Sequence, residues 1–215
     1  MNGNDLRALL IVALGRLDAV AEELRDLDAA IGDGDLGITV AGGAAAVRAE
    51  LMADPGPTSP AEVLQIAARR FASANPSTMS TLVAAALQAA TQEIGDAEEL
   101  DRPLTVRALS VAAARIGKLG GAQLGDKTIL DALIPSVSAL ATADVDSTSA
   151  LSRMIQAAVL GVESTTGLSS RKGRAAWVGD RSIGHADGGA IAYVRLLEAL
   201  ASSWPTARHH GCESK

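Results

Sequence analysis

The sequence predicts an all-α domain. Apolar residues recur at helical spacing along nearly the whole chain, as in Leu6, Leu9, Leu10, Val12, Leu14, Leu17, Val20 and Leu24. Short β-branched runs alternating with period two are missing, so a Rossmann or P-loop sheet has nothing to be built from. Hydrophobic residues make up 48% of the chain and aromatics only 2%. The core must therefore come from Ala, Leu, Val and Ile, whose small size lets helices approach closely.

Eight helices follow in order. The first spans about 4–28 and is broken by the Gly-rich stretch 32–37. An Ala-rich second, about 38–53, stops before Pro55-Gly56-Pro57. Ser59, Pro60 and Glu62 supply a cap, a first-turn proline and a capping-box glutamate for a third, ending near Ser73. The fourth covers about 78–95 and closes at Gly95; the fifth covers about 103–117 and opens at Pro103. The sixth, about 127–142, is kinked by Pro135. The seventh, about 147–166, takes Ser147 or Thr148 as its cap. After a long loop the eighth runs from about Gly189 to Ser203, ended by Pro205.

At 215 residues the chain is expected to form a single domain over 1–215, with a core of about 4–205 and a short tail. A net charge of −6 without a basic patch argues against nucleic-acid binding. The lone Cys212 leaves no internal disulfide, and neither a signal pattern nor a membrane-length apolar run is present. A cytoplasmic protein is expected.

Three Gly-Asp loops carry the chemistry. In Asp28-x4-Asp33-Gly34-Asp35-x-Gly37, glycines let the chain turn so that Asp33 and Asp35 aim at one point while Asp28 approaches from a helix end. Three hard oxygen ligands suit Mg²⁺, and the spacing does not fit an EF-hand. Three carboxylates and a nucleoside triphosphate would repel strongly unless divalent cations, about two of them, intervened. The alternative is a solvated loop in which Asp35 only caps the second helix.

The second loop, Gly120-Gly121-x3-Gly125-Asp126-Lys127-Thr128, misses a Walker A motif because Asp follows Gly125 and a helix precedes it. Its amides at a helix N-terminus could contact a nucleotide, or Asp126 could simply cap the sixth helix. The third runs from Gly173 to Ala190. Trp177 and Ile183 argue that it is ordered, Arg174 or Arg181 could pair with phosphate, and His185 reads as structural rather than catalytic.

With LDAAIGDGDLG, LGDKTILDALIP and GRAAWVGDRSIGHADGGA in this order, the chain resembles the L subunit of dihydroxyacetone kinases over nearly its whole length. The resemblance implies an antiparallel eight-helix barrel with a nucleotide site at one end. It implies two Mg²⁺ ions on Asp28, Asp33 and Asp35, and ATP or ADP held by Ser77, Thr78, Gly120, Gly121, Thr128, Arg174 and Asp187. Arg174 is the candidate for catalytic charge stabilisation. A small keto-sugar, as in glycerol metabolism, would sit on a separate K-type subunit, without which the chain would be inactive. A phosphotransferase-system protein is an alternative phosphoryl donor, and a homodimer is compatible.

Three positions depart from the family pattern: Met79 replaces a hydroxyl, Leu36 a polar residue and Gly188 a proline. Leu36 favours ATP as donor. The competing reading is a non-catalytic nucleotide-sensing or protein-docking module.

Overall fold

Several helix starts are set by side-chain caps. In the computed structural model, Ser59 and Glu62 form the expected capping box, with Ser59 Oγ accepting from the Glu62 amide at 3.2 Å and the Glu62 carboxylate accepting from the Ser59 amide at 3.1 Å. The structure describes residues 1–53 and 56–210, with side chains through Trp204. Pro55 of the expected turn and Cys212 lie outside the described residues. Among the described residues there are nine α-helices and no strand: α1 (Gly3–Leu14), α2 (Ala21–Ile31), α3 (Leu36–Leu51), α4 (Pro60–Ala74), α5 (Thr78–Ile94), α6 (Arg102–Gly120), α7 (Leu130–Ala141), α8 (Ser147–Thr166) and α9 (Gly188–His210).

The ninth helix arises because the expected first helix is split. Gly15 closes α1, a 3₁₀ turn covers Leu17–Val20, and α2 restarts at Ala21. Hydrophobic periodicity does not register this break, since Leu17 and Leu24 stay buried on either side of it. Two caps also differ. Asp146, not Ser147 or Thr148, caps α8 by accepting from the Thr148 and Ser149 amides, and Asp101 caps α6 by accepting from the Leu104 amide. The backbone of α9 continues through Pro205 to His210; a proline costs one helical hydrogen bond, and here the helix persists beyond it.

Each helix packs on the next from α2 to α9, and α9 returns onto α1 and α2, closing a ring. This is the antiparallel helical barrel. Its core follows the ring: Ala86 and Ala90 of α5 meet Ala108, Ala112 and Ala113 of α6, and Ala132, Ala158 and Ala190 join α7, α8 and α9. Alanine dominates because adjacent helices in a closed ring leave little room for larger side chains.

The alternation of direction has one consequence for function. The N-termini of α3, α5, α7 and α9 lie at the same end as the C-termini of α2, α4, α6 and α8. Four positive helix-dipole ends are thus gathered where the three Gly-Asp loops emerge.

Candidate functional site

The first loop is assembled by backbone geometry that its glycines permit. Asp28 sits in the last turn of α2, and the Gly32 amide donates to its carbonyl. A Cβ at Gly32 would run into the Asp28 carboxylate, and Gly34 holds a positive φ of 76°. The Asp35 amide donates to Asp28 Oδ2 at 3.1 Å, which pulls the two acidic residues together. Oxygens of Asp28, Asp33 and Asp35 all lie within 4.8 Å of one another.

Asp35 stands at the N-cap position of α3 yet makes no side-chain capping bond. Its carboxylate turns instead to Arg174, 3.2 Å away, and Arg174 also pairs with Asp33. The geometry is therefore that of converging carboxylates rather than of a capped turn. Two unit charges at this spacing repel by about 3–4 kcal/mol at an effective dielectric of about 20. Water screens the half-exposed Asp33 and Asp35 and reduces that figure. One arginine offsets one charge of three. The donor set, three hard oxygens beside helix N-termini, fits Mg²⁺.

The second loop is held by a residue the sequence reading passed over. Asp131, buried at 2% exposure, accepts from the Gly125 amide at 2.5 Å and from the Thr128 amide at 2.7 Å. Thr128 Oγ1 in turn accepts from the Leu130 amide. Asp126 does not cap the helix: α7 begins at Leu130, and the Asp126 carboxylate accepts from the Gln123 amide at 3.0 Å. Asp131 reaches back to the amide three residues earlier, which is half of a capping box; the other half is missing, because Thr128 Oγ1 serves the Leu130 amide and Ile129 is the N-cap of α7. Gly121 takes the left-handed conformation that ends α6, and Gly125 has φ 90°.

In the third loop, Arg174 to Ser182 form a 3₁₀ segment kinked at Gly179. Trp177 does not order it: that ring is 87% exposed. Order comes from Ser182, whose hydroxyl accepts from the Ser170 amide at 2.8 Å and donates to the Gly179 carbonyl. His185 and Arg181 are exposed. The expectation of a satisfied structural histidine is thus not met.

Asp187 caps α9, accepting from the Ala190 amide at 2.8 Å. Burial pushes its carboxyl up to about 6, against the pull of the Ala190 amide and with a further push from Asp131. An acid raised in the folded state contributes stability below its unfolded value near 3.8, and that contribution is lost as pH rises through about 6. Asp187→Asn keeps a capping oxygen and removes the charge. Its stability relative to wild type should grow from near zero at pH 4 to on the order of 3 kcal/mol at pH 8. Thermal melts at both values check this, and a pH-independent difference would contradict it.

Ser77 caps α5 in a reciprocal pair with Ser80, so its hydroxyl is already engaged. Ser77, Thr78 and Thr81 line a groove of about 390 Å³ with Leu82 and Leu119, beside Gly120 at the end of α6. Met79 faces inward, packing on the cluster formed by α1, α2, α3 and α9. The other two departures meet: a Cβ at Gly188 would touch the end of the Leu36 side chain. Leu36, 8% exposed, packs where α3 and α9 begin. Asp28, Asp33 and Asp35 converge within 4.8 Å, and Arg174 pairs with Asp33 and Asp35. Thr128 and Asp187 serve the starts of neighbouring helices, Ser77 and Thr78 line the groove, and Gly120 and Gly121 follow its Leu119 in sequence.

Residues 30–202 match the DAK2 domain. The L-erythrulose 1-kinase of Mycolicibacterium smegmatis is 34% identical over 192 residues, covering 87% of this chain and 31% of that protein. The ADP-binding subunit DhaL of the PEP-dependent dihydroxyacetone kinase 1 of Listeria innocua is 30% identical over 177 residues, covering 82% of this chain and 84% of the subunit. The crystal structure of the C. freundii dihydroxyacetone kinase with AMP-PNP and Mg²⁺ superposes with a TM-score of 0.75 at 26% identity, over 92% of this chain and 33% of that one. The chain thus spans about a third of the erythrulose kinase and most of the DhaL subunit. With the domain match covering most of its length, this chain belongs to the DAK2-domain family of dihydroxyacetone-type kinases.

Proposed function

We propose that this chain is the nucleotide-binding part of a kinase for small keto-sugars. Asp28, Asp33 and Asp35 would hold two Mg²⁺ ions, and Ser77, Thr78, Gly120, Gly121, Thr128, Arg174 and Asp187 would border an ATP or ADP molecule. The observation that carries the reading is the convergence of three carboxylates within 4.8 Å, paired with Arg174, at the end where four helix N-termini gather. The ADP-binding name of one relative and the AMP-PNP and Mg²⁺ of the solved neighbour support it.

Bound Mg²⁺ would offset charge on the donor phosphates. The chain's own part is positioning, which phosphoryl transfer needs more than covalent chemistry. Helix N-terminal amides are fixed donors for phosphate oxygens, and Arg174 supplies a mobile positive charge where charge builds up. Leu36 stands where the family pattern has a polar residue and is buried against the start of α9, which favours ATP over a phosphotransferase-system protein as donor.

The acceptor keto-sugar would be carried by a K-type partner. Trp177, Leu124, Leu119, Ile183 and Ile38 expose large apolar side chains, from 46% to 87%, and all belong to the loops and helix turns at this end. Exposed apolar side chains gathered at one end suit a protein partner. Purified chain, Mg-ATP and a K-type subunit should phosphorylate trioses or tetroses, and omission of either protein should abolish the product. Trp177→Ser should raise the partner concentration needed for half-maximal rate by about tenfold, the scale of an interface anchor. Nucleotide binding without turnover across that panel would favour a sensing or docking module instead.

A further inference from the structure

Lys127 is fully buried, at 1% exposure, and is the one non-glycine residue with a positive φ among the described residues, at 62°. Both features are costly for a lysine and persist only where the surroundings hold them in place. The surroundings here are three backbone carbonyls. Nζ donates to Ser182 O at 2.6 Å, to Leu168 O at 2.8 Å and to Thr166 O at 3.2 Å, which uses all three ammonium protons. The Thr166 carbonyl lies in the last turn of α8, where the helix dipole favours a cation. Burial pushes the ammonium below the ordinary lysine value, and the negative charge of Asp187 works against that.

The three carbonyls are not scattered. Leu168 and Ser182 stand at the two ends of the segment that carries Arg174 and Trp177. The same neck is closed by the Ser170 amide on Ser182 Oγ at 2.8 Å and by the Gly184 amide on the Thr166 carbonyl at 2.9 Å. Beyond the neck the arm turns at Gly173 and Gly179, both at positive φ, and nothing lies within 4 Å of where a side chain would sit on either. The arm is therefore fastened at its base, with open space around its two glycine turns. Its far side reaches Asp33 and Asp35 through Arg174.

We infer that Lys127 is a positioning residue for the phosphate site, clamping the neck of the 168–182 arm and so fixing where Arg174 is presented to Asp33 and Asp35. The inference rests on the reading of those three residues as part of the phosphate site. The charge of Lys127 is thereby spent on the base of the arm that delivers the arginine.

The test uses the full chain with Lys127→Met, which keeps the bulk of the side chain and removes the charge. Tryptic cleavage at Arg171, Lys172, Arg174 and Arg181 should accelerate by about tenfold or more, while hydrogen exchange in α5 and α6 stays at wild-type rates. Affinity for Mg-ADP should fall about tenfold, whereas Mn²⁺ alone should bind no more weakly, because its carboxylates are intact. A merely structural lysine would not split nucleotide from metal in this way. An arm as protected as in wild type, or equal loss of protection in α5 and α6, overturns the inference.

Should the variant not fold, the wild-type chain supplies the same answer. Acetylation of Lys127 by acetic anhydride should proceed at the rate at which the arm becomes cleavable, well ahead of global unfolding. Acetylation only on global unfolding, with the arm cut freely in the folded chain, refutes the clamp. A wild-type chain that binds no Mg-ADP would refute the phosphate-site reading while leaving the cleavage result to judge the clamp.

Discussion

Asp33→Ala is expected to abolish Mg²⁺-dependent nucleotide binding and leave the barrel folded. Asp33 lies in the glycine turn between α2 and α3 with its side chain 46% exposed, and it contributes nothing to the four buried clusters. What it gives is one of three convergent carboxylates. Losing one of three charged oxygen ligands should weaken Mg-ADP binding at least about 100-fold, or roughly 2.7 kcal/mol. The melting temperature without metal should stay level or rise slightly, because like-charge repulsion is relieved and an exposed ion pair is worth little.

Asp28 differs. Its carboxylate also accepts the Asp35 amide, so Asp28→Ala should loosen the loop as well as remove a ligand, and Asp28→Asn should restore the loop alone. Calorimetry with Mg-ADP and melts with and without the ligand separate the effects. Unchanged affinity in the Asp33 variant would remove the metal assignment.

The barrel and the three loops were legible in the sequence because they rest on local signals. Helical periodicity, proline and glycine positions and the Ser59-Glu62 box each depend on a few neighbouring residues. The split of the first helix was not legible, since its 3₁₀ turn keeps Leu17 on the buried face and preserves the pattern. A close approach supplies the tertiary reason: a Cβ at Gly37 would strike the Ala21 carbonyl, so α2 must start where α3 can pass it. The role of Lys127 was hidden for the same reason, as its partners lie 39 to 55 residues away. Asp131 is the exception. Its spacing of three from Thr128 is a local signal, that of a carboxylate reaching back to an amide at the start of a helix.

Asp131 also connects the site to the stability of the barrel, and Gly161→Ala tests that connection. Pro135 has no amide to give, so the Asp131 carbonyl one turn earlier is free to face outward from α7. Gly161 of α8 lies directly against it: an added methyl would overlap the Asp131 carbonyl oxygen and press on Pro135 Cγ at 3.4 Å. Neither neighbour is the end of a flexible side chain, so the α7 and α8 backbones must separate. Overpacking of this kind costs about 1–3 kcal/mol, more where backbone moves, and the alanine propensity gain of about 1 kcal/mol recovers only part of it. The net loss should be about 2 kcal/mol, or roughly 4–8 °C in melting temperature for a chain of this size. Gly167→Ala is the control. It closes the same helix at φ −76° with nothing within 4 Å, and should change stability by less than about 0.5 kcal/mol. The functional consequence follows from the other face of Asp131, whose carboxylate holds the Gly125 and Thr128 amides. Displacing its backbone moves the second loop, so the Gly161 variant should also bind Mg-ADP more weakly at temperatures where it is fully folded. Equal melting temperatures for the Gly161 variant and wild type would show that the two helices part without cost. Wild-type nucleotide affinity in a destabilised variant would show that the loop does not follow Asp131.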